Sequence, residues 1–292
     1  MKNIAAAVLG FLALGSCYKA GPVAESSRFI TVEARIGDMT KASYEGNKTS
    51  FEAGDSLSLF AWTGDKTAIP AKLVVDNVTN TLGADGKWTP KTQMLWADVD
   101  IQHYFLAVAP AREVKSFTAD PYTVDNTDYE KSDLLVARQL SGLTSEQNPV
   151  SLTFDHAMAK LYVNMNFRNQ WDAAPEVAAC AATAAGSCTI DYLAQTVTAG
   201  EQGAVALAAK DAATGYARSF SGIMIPQAGF RTITLTIEGK AYTYTHTEDI
   251  PLEAGKYTTV NLIVGRNKIE VGEVSINDWA EGTTLSGGQA LQ

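Results

Sequence analysis

The stretch Thr232-Ile233-Thr234-Leu235-Thr236-Ile237-Glu238-Gly239-Lys240-Ala241-Tyr242-Thr243-Tyr244-Thr245 decides the fold class. Ile233, Leu235 and Ile237 sit between threonines, so an extended chain carries its apolar groups on one face and hydroxyls on the other. A helix would scatter the same residues around its axis. Gly239-Lys240 supplies a glycine where a tight turn needs a positive φ, which predicts a β-hairpin. The same period of two recurs in Ile30, Val32, Ala34 and Ile36, in Leu57, Leu59 and Ala61, and in Leu161, Val163, Met165 and Phe167. Short runs rich in Thr, Val, Ile and Tyr, separated by Gly, Asn, Asp and Pro, predict an all-β sandwich in which helix is a minor component.

The N-terminus carries a different message. Lys2 precedes an apolar run from Ile4 to Leu14, too short to span a bilayer, and Gly15-Ser16-Cys17 follows it. A basic start, a short apolar segment and small residues before a cysteine predict a lipoprotein signal over residues 1–16. The Cys17 thiol would take the lipid, and the polar residues up to 27 would form a tether, 17–27, to the folded part. Removing residues 1–16 takes away Lys2 and no acid, so 23 basic residues become 22 against 32 acidic ones, a net charge of −10. That sign argues against nucleic acid or an anionic lipid surface as partner. Ser-Gly-Leu-Thr-Ser-Glu-Gln-Asn-Pro at 141–149 separates two apolar stretches. It predicts an N-terminal sandwich over 28–146, a C-terminal one over 150–282, and a tail over 283–292.

Residue types that carry chemistry are few. The three histidines, His103, His156 and His246, have no carboxylate or cysteine at a metal-ligand spacing. Asp155 neighbours His156, but adjacent strand residues point to opposite faces, so the pair reads as a structural histidine at a strand end. Asp125-Asn126-Thr127-Asp128 offers oxygen ligands without the calcium-loop register and reads as a solvated turn. Leu285-Ser286-Gly287-Gly288-Gln289 spells the signature loop of transporter ATPases. No phosphate-binding GxxxxGK[ST] accompanies it, and no GxSxG elbow appears anywhere. No catalytic residue, metal or cofactor is expected. Cys180 and Cys188 are predicted to form a local disulfide in an oxidising compartment. The competing reading is a reduced pair in the Ala-rich segment 173–185, where Pro175 and Gly186 could bracket a short helix.

Several strings resemble the fimbrillin family of Gram-negative anaerobes, the lipoproteins that include type V pilins. They are Thr40-Lys41-Ala42, then Phe51-Glu52-Ala53-Gly54-Asp55-Ser56-Leu57, Tyr104 to Pro110 and Asp133-Leu134-Leu135. The most specific is Leu152-Thr153-Phe154-Asp155-His156-Ala157-Met158-Ala159-Lys160-Leu161. Ile225-Pro226-Gln227, Gly255-Lys256-Tyr257 and Ile276-Asn277-Asp278-Trp279 follow. The resemblance implies two tandem transthyretin-like β-sandwich domains and, in polymerising members, donor-strand exchange. There a trypsin-like protease cuts after a basic residue, the first strand leaves, and another subunit's strand fills the groove.

On that basis the exchangeable strand here is 28–36, with Ile30, Val32, Ala34 and Ile36 in the groove. Arg35 and Lys41 are the processing candidates, and Arg28 an earlier one. The tail 283–292 lacks alternating apolar residues, so the donor would be Ile269–Trp279, or the subunit accepts without donating. The expected partners are other fimbrial subunits, the outer membrane through the lipid, and a surface glycan or protein receptor. The runner-up function is a non-polymerising lipoprotein that binds glycans through Trp62, Trp88, Trp96 or Trp171.

Overall fold

The computed structural model describes residues 28–37 and 49–278, and their regular structure is almost entirely strand. In chain order the strands are β1 (Val32–Ile36), β2 (Ser56–Thr63), β3 (Val75–Leu82), β4 (Trp88–Pro90), β5 (His103–Ala109), β6 (Asp120–Thr123), β7 (Leu135–Leu143), β8 (Val150–His156) and β9 (Ala159–Phe167). They continue with β10 (Val177–Ala185), β11 (Ser187–Asp191), β12 (Thr196–Ala199), β13 (Gln202–Lys210), β14 (Arg218–Met224), β15 (Thr232–Ile237), β16 (Lys240–Thr245), β17 (Lys256–Val264) and β18 (Ile269–Asp278). A single α-helical turn, Tyr129–Ser132, is capped by the Asp128 carboxylate.

A seven-stranded sheet runs β1-β8-β7-β5-β2-β3-β4, an eight-stranded sheet runs β16-β15-β10-β13-β14-β9-β17-β18, and a small sheet runs β12-β11-β6. β15 and β16 form the hairpin read from the sequence, with Gly239 at φ 73 in its turn. One face of the first sheet packs Leu57, Leu59, Phe105, Ala107, Leu152 and Phe154 into one core. The other face, with Phe60, Trp62, Leu106 and Val108, meets Ile190 and Tyr192 from the β11 region and Ile223 near the end of β14. A further core fills the concave side of the second sheet. β2 is therefore buried from Leu57 through Trp62 without interruption, as a strand covered on both faces must be.

Two expectations are corrected here. The linker composition predicts a boundary at 147–149, yet β8 pairs with β1 and β7 in the first sheet, and the chain enters the second only at Ala159. The crossing is Ala157-Met158. The Ala-rich segment is strand β10, not helix, because Cys180, Ala182 and Ala184 fill the second core at period two, with Val177 brought in by an irregularity before Ala179.

The predicted disulfide is also absent, since both thiols are free and buried. β10 and β11 do not pair with each other; they pair respectively with β13 and β15, and with β12 and β6. At about 3.3 Å per residue, the extended arm from Cys180 to Gly186 is about 20 Å and that from Gly186 to Cys188 about 7 Å. Even a full reversal at Gly186 would leave the two more than about 7 Å apart, beyond the reach of a disulfide. Cys180 lies in the second core and Cys188 in the one shared with the first sheet. Burial pushes both thiols up to about 12, so they stay protonated and unreactive.

The two halves are joined by more than the covalent crossing. β6 pairs with β11, and Asp120, wholly buried, accepts from Arg112 Nη1 at 2.5 Å, Tyr192 Oη at 2.7 Å and the Lys115 amide at 2.8 Å. A carboxylate with three donors is stabilised in the interior where an unpaired one would not be tolerated.

Candidate strand-exchange site

β1 lies at one end of the first sheet, paired in parallel with β8 from Val32 against Val150 to Ile36 against Phe154. Extended geometry sends alternate side chains inward. Ile30, Val32 and Ile36 are 1, 5 and 8 % exposed, and the half-buried Ala34 packs beside them. Their groove is walled by Val150, Leu152 and Phe154 of β8 and by Trp88, Met94 and Trp96. Glu33 and Arg35 point to solvent, where the Arg35 Nε donates to Thr153 Oγ1 at 3.1 Å.

The entry to β1 is held on its other side. Phe29 bridges Leu95, the Ile30 amide donates to the Met94 carbonyl at 2.9 Å, and the Trp96 amide donates to the Arg28 carbonyl at 3.2 Å. These contacts tie the entry of β1 to the segment that follows β4, so 28–30 acts as a clasp. The Thr31 amide donates to the Asn148 side chain at 2.9 Å, and the Val150 amide to the Thr31 carbonyl at 2.8 Å. The exit is fixed by the Gly37 amide on the Phe154 carbonyl at 2.8 Å.

The sequence identifies the strand and its inward residues but not their surroundings. Met94, Leu95, Trp96 and Asn148 are missed because their contacts with residues 28–31 are remote in the chain and leave no local periodicity. Of the processing candidates, Arg28 sits before the strand with its carbonyl engaged, Arg35 sits inside the ladder, and Lys41 lies outside the described residues, as does Cys17.

In the second sheet β18 is an edge strand, antiparallel to β17 along its whole length, with an irregularity at Gly272. Ile269, Val271 and Val274 are half-buried against the second core, and Ile276 is exposed at 37 %. Trp279 falls outside the described residues.

Groups that could carry other chemistry are occupied structurally. His103 is buried, with Nε2 accepting from the Ala97 amide and Nδ1 facing the Ile101 carbonyl, and burial lowers its pKa. His156 is oriented by Asp133, 2.7 Å from its Nδ1, both buried, and not by its neighbour Asp155. Asp125 accepts from both the amide and the hydroxyl of Thr127, as a solvated turn would. Among the described residues no group of His, Cys, Asp and Glu is arranged to hold a metal ion, and no helix is long and apolar enough to cross a membrane. Trp62, Trp88, Trp96 and Trp171 are all buried, so they offer no face for a sugar to stack on. The glycan-binding reading thereby loses the residues proposed for it.

The model of the fimbrillin-like family matches residues 40–279. The chain belongs to the fimbrillin-like family. Fimbrillin-like chains are fimbrial, adhesion-related subunits and not an enzyme family. Solved structures share the fold. One, from Bacteroides uniformis and described as a cell adhesion protein, is 21 % identical over 86 % of this chain and 98 % of its own, with a TM-score of 0.62. A second so described, from Bacteroides ovatus, is 14 % identical over 88 % and 99 %, with a TM-score of 0.64. The tip fimbrial protein Mfa3 from Porphyromonas gingivalis, with a C-terminal truncation, is 14 % identical over 86 % and 99 %, with a TM-score of 0.50. No curated protein sequence matches.

Proposed function

We propose that this fimbrillin-like chain is a stalk, tip or accessory subunit of a type V pilus, exported as a lipoprotein through Cys17 and assembled by protease-triggered donor-strand exchange. The observation that carries the reading is the seating of β1. Its inward side chains complete a core, it is parallel to β8 at the end of a sheet, and beyond that ladder it is held by the short clasp at 28–30 and a few bonds at its ends. Removing it uncovers a row of main-chain donors and acceptors on β8 and a lined groove, which is what β-strand addition requires.

Lys41 is the processing site best suited to the geometry. It follows the last hydrogen bond of the strand, Gly37 to Phe154, by only a few residues. Cutting after Arg35 would require the ladder to open first, and cutting after Arg28 would sever the tether while leaving β1 seated. The donor is β18 of a neighbouring subunit. Two assays test the proposal. Limited trypsin treatment of purified protein should cut near Lys41 and produce a ladder of oligomers, and Lys41→Gln should suppress it. Cut protein that stays monomeric at high concentration contradicts the assembly mechanism. Cys17→Ala should release the protein from membranes; unchanged partition contradicts lipid anchoring.

A further inference from the structure

β13 changes partner part-way along its length. Residues Gln202 to Leu207 pair with β10, whereas Ala208 to Lys210 pair with β14. β14 continues from Gly222 to Met224 alongside β9, so the facing edges of β13 and β14 diverge into a fork. The side chain of Asn126 is lodged in it. Its Nδ2 donates to the Ala206 carbonyl at 2.9 Å and to the Ile223 carbonyl at 3.2 Å, and its Oδ1 accepts from the Ile223 amide at 2.7 Å. At this one rung a side-chain amide reproduces the donor and acceptor of a missing strand. The sequence below it is built for the purpose: a Cβ on Gly222 would lie 2.6 Å from Asn126 Nδ2 and 2.7 Å from Leu207 Cδ2.

Beside that rung, between β13 and the segment 123–127, lies a groove of about 640 Å³. Its β13 side is small, with Gly203, Ala204 and Ala206, and its lining carries the carboxylates of Asp125 and Glu201 and no lysine or arginine. The Ala206 carbonyl faces the fork, so the alternation of an antiparallel strand turns the amide and carbonyl of Ala204 the same way. Among the described residues no hydrogen bond reaches Ala204 from that side. The edge therefore presents strand-like main-chain groups beside the small residues Gly203, Ala204 and Ala206 and near two carboxylates, of which Asp125 already accepts from Thr127.

We propose that this fork is a second strand-binding site, which takes a short extended segment of a partner protein onto the free edge of β13 at Ala204, with a basic side chain directed to Asp125 and Glu201. It lies in the second half of the molecule and needs no exit of β1, so it stands or falls apart from donor-strand exchange.

The test uses the uncut protein and two synthetic probes, acetyl-Thr-Ala-Lys-Ala-Thr-amide and its counterpart with Glu in place of Lys. At saturation the lysine peptide should slow amide hydrogen exchange at Ala204 at least tenfold and bind at least fivefold more tightly than the glutamate peptide. Glu201→Lys should erase or reverse that preference. Ala204→Pro removes an edge-facing amide that no ladder uses, so it should abolish binding without a large change in melting temperature. If that variant fails to fold, the charge reversal at Glu201 still decides the matter. The proposal is overturned if neither peptide slows exchange at Ala204, or if Glu201→Lys leaves both affinities unchanged. It is equally overturned if Ala204 becomes protected with rising protein concentration alone, which would assign the fork to a second copy of this chain.

Discussion

β1 and β18 are both terminal strands of their sheets, yet they are seated differently. β1 has a short parallel ladder of five residue pairs, and two of its side chains, Val32 and Ile36, lie within a core together with Ile30 just before it. β18 has a ladder nearly twice as long, antiparallel, but its apolar residues are only half-buried and the last, Ile276, is exposed. The stability of β1 therefore resides in burial, and that of β18 in main-chain hydrogen bonds. Burial is lost on exit unless another side chain fills the space, whereas a strand's main-chain bonds are exchanged with water at modest net cost. A groove that must be refilled at one edge and a strand that uncovers less of a core on leaving at the other are what the proposed donor-strand reaction requires.

The largest expected effect comes from deleting the strands. At about 1.5 to 3 kcal/mol for each large buried side chain, the inward residues of β1 contribute on the order of 5 to 10 kcal/mol before ordering costs. A chain lacking residues 28–37 should lose most of its urea resistance in the first sheet, while one ending at residue 268 should lose distinctly less. Equal losses would erase the distinction between the two edges. Single substitutions sharpen it: Ile30→Ala should lower stability by about 2–5 kcal/mol and Val271→Ala by about 1 kcal/mol or less. Urea denaturation of the two variants side by side measures both.

Thiol accessibility shows which core each strand guards. Cys180 shares the second core with Ile269, Val271 and Val274, remote from the groove of β1. Native protein should resist iodoacetamide at both buried cysteines. Loss of β18 should quicken labelling of Cys180, and loss of β1 should not; the mass of the labelled protein reads the result. The smallest effect is expected from Asn148→Ala, which removes the acceptor of the exposed Thr31 amide and should cost about 0.5 kcal/mol by the same denaturation assay.

How much of this was legible in the sequence follows from which interactions are local. β1 and β15 announce themselves by alternation because each has one buried face, while β9 alternates in sequence although Ala159 to Met165 are buried on both faces. In β2 the residues Phe60 and Trp62, on the face read as outward, are buried against a second core, and nothing local in the run signals that. The boundary was misplaced because Asn148-Pro149 looks like a linker, whereas the pairing of β8 with β1 joins residues more than a hundred positions apart. Cys180 and Cys188 are close in sequence, but they lie on consecutive strands that continue in line rather than fold back on each other. Asn126 reads as a turn residue. Its place in the fork depends on two strands some eighty and a hundred residues later. Of the candidate site, the strand was therefore legible and its walls were not.

The most direct test of the central claim is the thermal melting of uncut protein and of protein cut at Lys41, each with and without a synthetic peptide covering Ile269 to Trp279. The account predicts that cutting lowers the melting temperature substantially once β1 is free to leave, and that the peptide restores much of the loss in the cut protein while leaving the uncut protein unchanged. If cut and uncut protein melt together, and amides 30–36 exchange with solvent as fast as an unstructured segment, β1 is not a structural strand and the exchange mechanism is contradicted.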